Sequence, residues 1–305
     1  MQLLGASLSI GMMYLRVITE RQALCILNQL IFAKSPVDPQ KETNLKVLVD
    51  ADIIAYRAAF SVESKEAKIE KCLADNGFTG RDDIDVRFAM RELGIKPEDL
   101  EPRDVTDNIC SSIMYDCFYP YDYTLGENAW FYLTGSNNYR FDIATIKPYK
   151  GKRGEKPVHL RATRDQLQTR WLAEVVEGQE ADDALGIKAT GLNGDCTIVS
   201  IDKDLLMIPC THYNFVKKEW TEVSQEQGDY FFYKQLLTGD QVDNIQGVPG
   251  IGPKKAEKAY EGCTTVQELY TKALEMYKGD ADELLENARL LWLRRYEGEM
   301  WEPPV

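Results

Sequence analysis

The 305-residue chain is expected to fold as an α/β protein, a largely parallel sheet flanked by helices and followed by a smaller helical module. Three observations carry this. Lys46-Val-Leu-Val-Asp50, Trp130-Phe-Tyr-Leu-Thr134 and Thr197-Ile-Val-Ser-Ile-Asp202 are short apolar runs separated by helix-length segments, as buried parallel strands require. Two of them end in a carboxylate, Asp50 and Asp202, and ligands of open α/β sheets gather outside the carboxyl ends of the strands. Past Gln227 the pattern is helical, and Pro249, Gly250, Gly252 and Pro253 mark one tight turn between a helix ending near Leu237 and one starting near Pro253.

Taken in order, residues 1–43 form an N-terminal extension of uncertain role. Its most apolar stretch, Leu3 to Leu15, is broken by Ser7 and Ser9 and is shorter than the ~18 residues of a membrane helix. No basic segment precedes it, which argues against a secretory signal. The α/β domain is placed at 44–224, with a helix over Ile53–Phe60 after the first strand and another over Thr106–Phe118 that puts Cys110 and Cys117 on one face. The helical module occupies 225–305.

Composition bounds the chemistry. Seven cysteines with no C-x-x-C spacing signal neither a disulfide framework nor a zinc site and suggest a reducing, cytoplasmic setting. With only His159 and His212, histidine-based metal sites or triads have few candidates. Carboxylates are abundant: 49 acids against 36 bases give a net charge of −13. The acids that matter are Asp50 with Asp52, Glu180-Ala-Asp182-Asp183, Asp202-Lys-Asp204, and Asp240 with Asp243. Most acids of any chain are solvated, but Asp50, Asp202 and Asp204 close buried strands, and several carboxylates cannot share a crevice without protons or cations. Mg²⁺ or Mn²⁺ is the natural counterion, since hard cations take oxygen ligands. Two such ions about 3.5–4 Å apart would suit hydrolysis of a phosphodiester. Glu180 and Asp183 share a helix face, so that segment could serve both ions or merely cap the helix.

Between Arg140 and Arg170 nine Lys and Arg stand against three acids, a net +6 that leaves −19 on the remainder. A basic strip beside an acidic pocket suits a metal-dependent enzyme acting on a polynucleotide. Within it, Tyr149-Lys150-Gly-Lys152-Arg153 interleaves an aromatic ring with cations, which suits stacking on an unpaired base. The most specific signal is Gly247-Val-Pro-Gly250-Ile-Gly252-Pro-Lys254-Lys255: glycines admit a phosphate to the backbone, and two lysines add charge.

In this order, from Val-Asp50 through Arg140, Tyr149–Arg153, Glu180–Asp183, Ser200–Asp204 and Gly239-Asp240 to the glycine-rich turn, the residues resemble the flap endonuclease/5′→3′ exonuclease family over about 44–275. The nearest likeness is to small bacteriophage exonucleases and the 5′-nuclease domain of bacterial DNA polymerase I. The resemblance implies a PIN-like sheet, a short helical arch over 150–178, and a C-terminal helix-hairpin-helix that holds duplex DNA with a K⁺ ion. It implies a first divalent ion near Asp50, Glu180 and Asp182, and a second near Asp183, Asp202, Asp204 and Asp240, with Asp243 adjacent. Arg140, Lys150 and Arg153 would steer the scissile phosphate, Tyr149 would meet the frayed base, and Lys152, Gly250, Gly252, Lys254 and Lys255 would contact DNA. A monomer acting on free 5′ ends or flaps, with replication proteins as further partners, is the expectation.

Two departures stand out. The family commonly carries a metal-binding Asp after the second strand, where this chain reads Thr134-Gly135-Ser136, so water or another residue must replace that ligand. Asp52 reads as a helix N-cap more than as a ligand. Two other readings remain open on the residues alone: a branched-DNA-binding protein that no longer cleaves, and a haloacid-dehalogenase-type phosphatase built on Asp50-Ala-Asp52.

Overall fold

A computed structural model of the chain describes residues 45–78, 82–151 and 154–304. The N-terminal extension lies outside the described residues, as do Lys152 and Arg153. Strand β1 (Val47–Asp50) is wholly buried and leads directly into helix α1 (Ala51–Asp75). Asp50, not Asp52, caps that helix, its Oδ1 accepting from the Ile53 N–H at 3.2 Å. The helix runs fifteen residues beyond the expected end at Phe60. The sequence turns polar there, yet Val62, Ile69 and Leu73 continue the buried stripe of Ile54, Ala55 and Ala58, and tertiary packing carries the helix onward.

Helix α2 (Asp83–Leu93) packs on the end of α1 through Ala89, and α3 (Pro102–Phe118) buries Cys110 and Cys117 on one face as expected. Strand β2 (Ala129–Asn138) follows, then the single turn α4 (Arg140–Ile143), α5 (Leu160–Arg170), β3 (Glu174–Gly178), α6 (Ala181–Gly191) and β4 (Thr197–Val199). Strands β5 (Thr211–Asn214) and β6 (Glu219–Glu222) complete a six-stranded sheet of order β3-β2-β1-β4-β5-β6, parallel except for the β5–β6 pair. Strands β3, β5 and β6 were not expected. β6 is exposed throughout and β3 buries only Val176, so neither presents the continuous apolar run of a central strand.

One face of the sheet carries α1, α3 and α5, with Val47, Val49, Ile54, Met114, Leu167 and Trp171 in a common core. Within the segment 150–178, expected as an arch, α5 packs on the helices of this face and borders the cleft. Leu160, Thr163 and Leu167 bury α5 against α1 and α3, and 174–178 is a strand of the sheet. The other face carries α6 and the C-terminal elements: α7 (Gln225–Thr238), the two-residue strands β7 (Gly239–Asp240) and β8 (Ile245–Gln246), α8 (Pro253–Ala259), α9 (Val266–Met276) and α10 (Ala281–Leu291). Leu48 and Ile198 share one core with Phe232, Leu236, Leu284 and Leu291, so α6 and the C-terminal helices form one continuous apolar layer with this face. The β7–β8 ribbon needs two glycines: a Cβ on Gly239 would lie 2.3 Å from the Gly247 nitrogen, and one on Gly247 equally close to Gly239. No described helix is long and apolar enough to cross a membrane.

Candidate active site

The carboxyl ends of β1, β2 and β4 and the β3–α6 connection border a cleft of about 680 Å³. Asp50, Asp52, Glu177, Glu180, Asp182 and Asp202 line it. Lys150, Lys156 and Arg164 are its cations. Asp50, the neighbouring Glu180 and Asp182, and Asp202, three places far apart in sequence, thus share one cavity.

Their surroundings are those of uncompensated charge. Asp50, 2% exposed, is pushed up to about 7 by burial and then by the neighbouring Asp52, against the hydrogen bond from Ser200. Asp182 is raised well above the carboxylate range by burial and by the charges of Asp50, Asp202 and Glu180. Asp204 reaches about 6 through burial and Asp202. Ser200 organises this end of the cleft: its hydroxyl donates to Asp50 Oδ2 at 2.7 Å and accepts from the Asp202 N–H at 2.9 Å. Asp202 Oδ1 in turn accepts from the Asp204 N–H at 2.9 Å.

Asp183 behaves otherwise. It is completely buried, and its two oxygens accept from Arg140 Nη1 (2.5 Å) and Nη2 (2.9 Å) and from the backbone N–H groups of Glu180 and Arg294 (3.0 Å each). Burial alone would raise it, but Arg140 and these hydrogen bonds hold it below the usual range. With all four bonds directed inward, Asp183 does not face the cleft, and its expected role as a metal ligand gives way to a structural one. Arg140 is likewise no phosphate contact: it is 1% exposed and also donates to the carbonyls of Leu290 (2.9 Å) and Trp292 (2.7 Å).

Tyr149, expected at a frayed base, is buried with its hydroxyl 3.0 Å from Glu180 Oε2 and 2.8 Å from Asp243 Oδ2. Lys150 stands at the cleft, its ammonium bonded to Glu180 and 3.7 Å from Asp243. Its backbone N–H donates to the Asp243 carbonyl at 3.0 Å and Asn244 Nδ2 to that of Pro148 at 2.9 Å, which ties this loop to the β7–β8 turn. Asp240 lies in that turn, bonded to the Val242 N–H at 2.7 Å, and its charge reaches Asp204. Asp204, Asp240 and Asp243 border no part of the cleft itself. Gly250, Gly252 and Lys254 are exposed around the turn into α8, and Lys255 Nζ donates to the Gly250 carbonyl at 2.8 Å.

Three cations of the basic strip are spent in close ion pairs. Besides Arg140 and Lys150, Arg164 bonds Asp52 at 2.7 Å and the Thr134 carbonyl at 2.6 Å, while Asp52 accepts from the Thr134 N–H at 2.9 Å. Asp52 is thus a clamp between α1, α5 and β2. Nothing in the spacing of Arg164 or Glu177 marked them as cleft residues; Ser200 stood inside a motif, but a lone serine carries no signal.

An all-oxygen, mutually repelling donor set is what hard divalent cations bind. Among the described residues no three such side chains already converge on one point; Lys150 takes up Glu180 and Arg140 takes up Asp183. The chemistry of the donors fits such ions, with Asp50, Glu177, Asp182 and Asp202 as the carboxylates in the cleft that no cation bonds among the described residues.

No protein-family model matches the chain. It is 31% identical over 171 residues to Flap endonuclease Xni of Vibrio campbellii, a match covering 48% of this chain and 64% of that protein. It is 38% identical over 112 residues to DNA polymerase I of Rhizobium leguminosarum, covering 33% of this chain and 11% of that much longer protein. The chain is related to the flap endonucleases. Its matches span less than two thirds of the length of these relatives. Among solved structures, the T5 D15 protein co-crystallised with metal ions superposes with a TM-score of 0.52 at 15% identity, covering 80% of this chain and 88% of that one, and so shares its fold.

Proposed function

We propose that the chain is a 5′→3′ exonuclease and flap endonuclease that hydrolyses DNA phosphodiesters with two divalent ions, Mg²⁺ or Mn²⁺. The observation that carries this is the meeting of Asp50, Glu180, Asp182 and Asp202 in one cleft beside Lys150, with Asp50 and Asp182 pushed up by burial and by neighbouring charge. The relation to flap endonucleases supports the substrate class, and the metal ions of the T5 D15 crystals support the cofactor. Asp50, Glu180, Asp182 and Asp202 would hold the ions nearest the scissile bond, with Asp204, Asp240 and Asp243 beside them. When bound, the ions supply activation of a water and neutralisation of the phosphate and the leaving oxygen.

The chain's own groups do the rest. Ser200 fixes the Asp50 carboxylate while Asp202 receives the Asp204 N–H, so two carboxylates are oriented before substrate arrives. Lys150, paired with Glu180 in the cleft, would hold the incoming phosphate backbone once that carboxylate serves a bound ion. Lys156 extends that cationic edge, and Lys152 and Arg153, which lie outside the described residues, are proposed from the sequence alone as further phosphate contacts. The glycine turn at 247–252 with Lys254 and Lys255 would act as a helix-hairpin-helix, gripping duplex phosphates without reading bases, with K⁺ as its expected ion. A monomer in the cytoplasm, meeting replication proteins at free 5′ ends, is the working setting.

The test is incubation of 5′-labelled duplex and 5′-flap DNA with the full chain in Mg²⁺ and in EDTA. Release of short 5′ products that chelation abolishes is expected. Binding without cleavage in Mg²⁺ and in Mn²⁺ would overturn the assignment.

A further inference from the structure

Strand β2 departs from regular pairing where it borders the cleft. Thr134 pairs with Val176 and Asn138 with Gly178, so the three residues 135–137 stand opposite the single residue Glu177. The Glu177 side chain reaches across into this bulge. Its Oε2 accepts from the Ser136 N–H (3.0 Å), the Ser136 hydroxyl (3.1 Å) and the Asn137 N–H (3.2 Å). The carboxylate occupies the space beside Gly135: a Cβ built there would lie 2.4 Å from Glu177 Cδ, 2.4 Å from Oε1 and 2.6 Å from Oε2. A side chain at 135 would displace the Glu177 carboxylate from this place, and glycine leaves the place to it.

We propose that Glu177 is an ion-binding carboxylate of the cleft, delivered from β3 into the place that the side chain of residue 135 would otherwise fill. This rests on the divalent-ion reading above. All three hydrogen bonds go to Oε2, and Oε1 accepts none among the described residues. Asp52 and Glu180, also in the cleft, are bonded to Arg164 and Lys150, whereas Glu177 has no cationic partner among the described residues. Its charge is met by dipoles on one oxygen only, which fixes the carboxylate and leaves the other oxygen to a ligand. The gap that Gly135 opens in the donor set is filled from the neighbouring strand.

Mn²⁺ binding to the DNA-free full chain, by calorimetry, is the primary measurement, with the Mg²⁺ concentration for half-maximal flap cleavage as the second. Glu177→Gln is expected to weaken Mn²⁺ binding about 10–100-fold, the range for losing a carboxylate that supports a metal site. Gly135→Ala, which keeps the carboxylate but forces it aside, should weaken binding in the same direction, and the double variant should be no worse than Glu177→Gln. Gly135→Asp with Glu177→Ser should restore most of the affinity by returning a carboxylate to the same place. Wild-type Mn²⁺ affinity in Glu177→Gln would make Glu177 a clamp for the bulge and nothing more. Should Glu177→Gln fail to fold, wild-type affinity in Gly135→Ala overturns the proposal equally. Asp202→Asn separates the two levels: if it binds Mn²⁺ as wild type does, the divalent-ion reading itself falls, whereas weakened binding there with normal binding in the Glu177 variant removes only Glu177.

Discussion

Asp182 and Asp183 are joined by one peptide bond and have opposite fates. Asp182 faces the cleft, where burial and the charges of Asp50, Asp202 and Glu180 disfavour its ionised form. Asp183 points the other way, fully buried, and holds its charge because Arg140 and two backbone N–H groups surround it. The difference lies in the first turn of α6, where successive side chains project about 100° apart. One direction opens on the carboxyl ends of the strands and the other on the start of the C-terminal segment at Leu290, Trp292 and Arg294. The same residue type thus serves as stored repulsion in one direction and as a fastening in the other.

Breaking the fastening should have the largest effect. Arg140→Met leaves Asp183 buried without a cation, which costs about 3–5 kcal/mol, and frees the Leu290 and Trp292 carbonyls as well. Urea unfolding in EDTA is the measurement; a loss below about 1 kcal/mol would mean that the pair is dispensable. Relieving the repulsion should act in reverse. Asp182→Asn is expected to lower flap cleavage about 10²–10³-fold, the usual cost of removing one preorganised electrostatic group, while raising the melting temperature of the metal-free protein. A variant that cleaves normally, or that melts lower than wild type in EDTA, would mean that Asp182 is not held against its neighbours.

Most of the cleft was legible in the sequence, for a definite reason. Asp50 and Asp202 follow apolar runs that can only be buried strands, and chain topology then brings their ends together. Asp183 and Arg140 lie off the cleft because the spacing rule that puts Glu180 and Asp183 on one face holds only inside a helix: Glu180 is the extended N-cap residue, and Asp183 turns back to accept its N–H. Tyr149 was also misread: cations flank it in sequence, yet its ring is buried and its hydroxyl meets Glu180 and Asp243. Glu177 and Arg164 carried no signal at all, since what matters is their approach to Gly135 and Asp52 across separate elements. The sheet was read with half its strands, because β3, β5 and β6 lie at or near an edge and need no apolar run.

The two carboxylates should also separate on a pH axis. Asp50 at about 7 lies above its ordinary 3.8, so between those values the folded state binds more protons than the unfolded one. Its contribution is fully present below about pH 4 and is lost as the pH rises through about 7, and Asp182 shifts in the same direction. Asp183, held low, contributes above the ordinary carboxylate value and loses that contribution only as the pH falls through its folded value. The melting temperature in EDTA should therefore fall from pH 5 to pH 8 more steeply in wild type than in Asp50→Asn, and Mg²⁺ should reverse the fall. Parallel curves for the two proteins would show that the cleft carboxylates are not strained.

The smallest effect is expected at the glycine turn, where charge is neither buried nor opposed. Lys254 is exposed at the start of α8, while Lys255 is bonded to the Gly250 carbonyl within the turn itself. If the turn holds a duplex, each lysine that meets a phosphate releases a counterion, and its loss lowers the slope of log K against log salt by about 0.9. Lys254→Ala should produce that decrement with unchanged stability. Lys255→Ala should add a modest loss of turn stability, because it also removes a hydrogen bond. Duplex-binding isotherms in EDTA across a salt series provide the measurement. An unchanged slope in Lys254→Ala would take this residue out of the interface and leave duplex binding to the cations around the cleft.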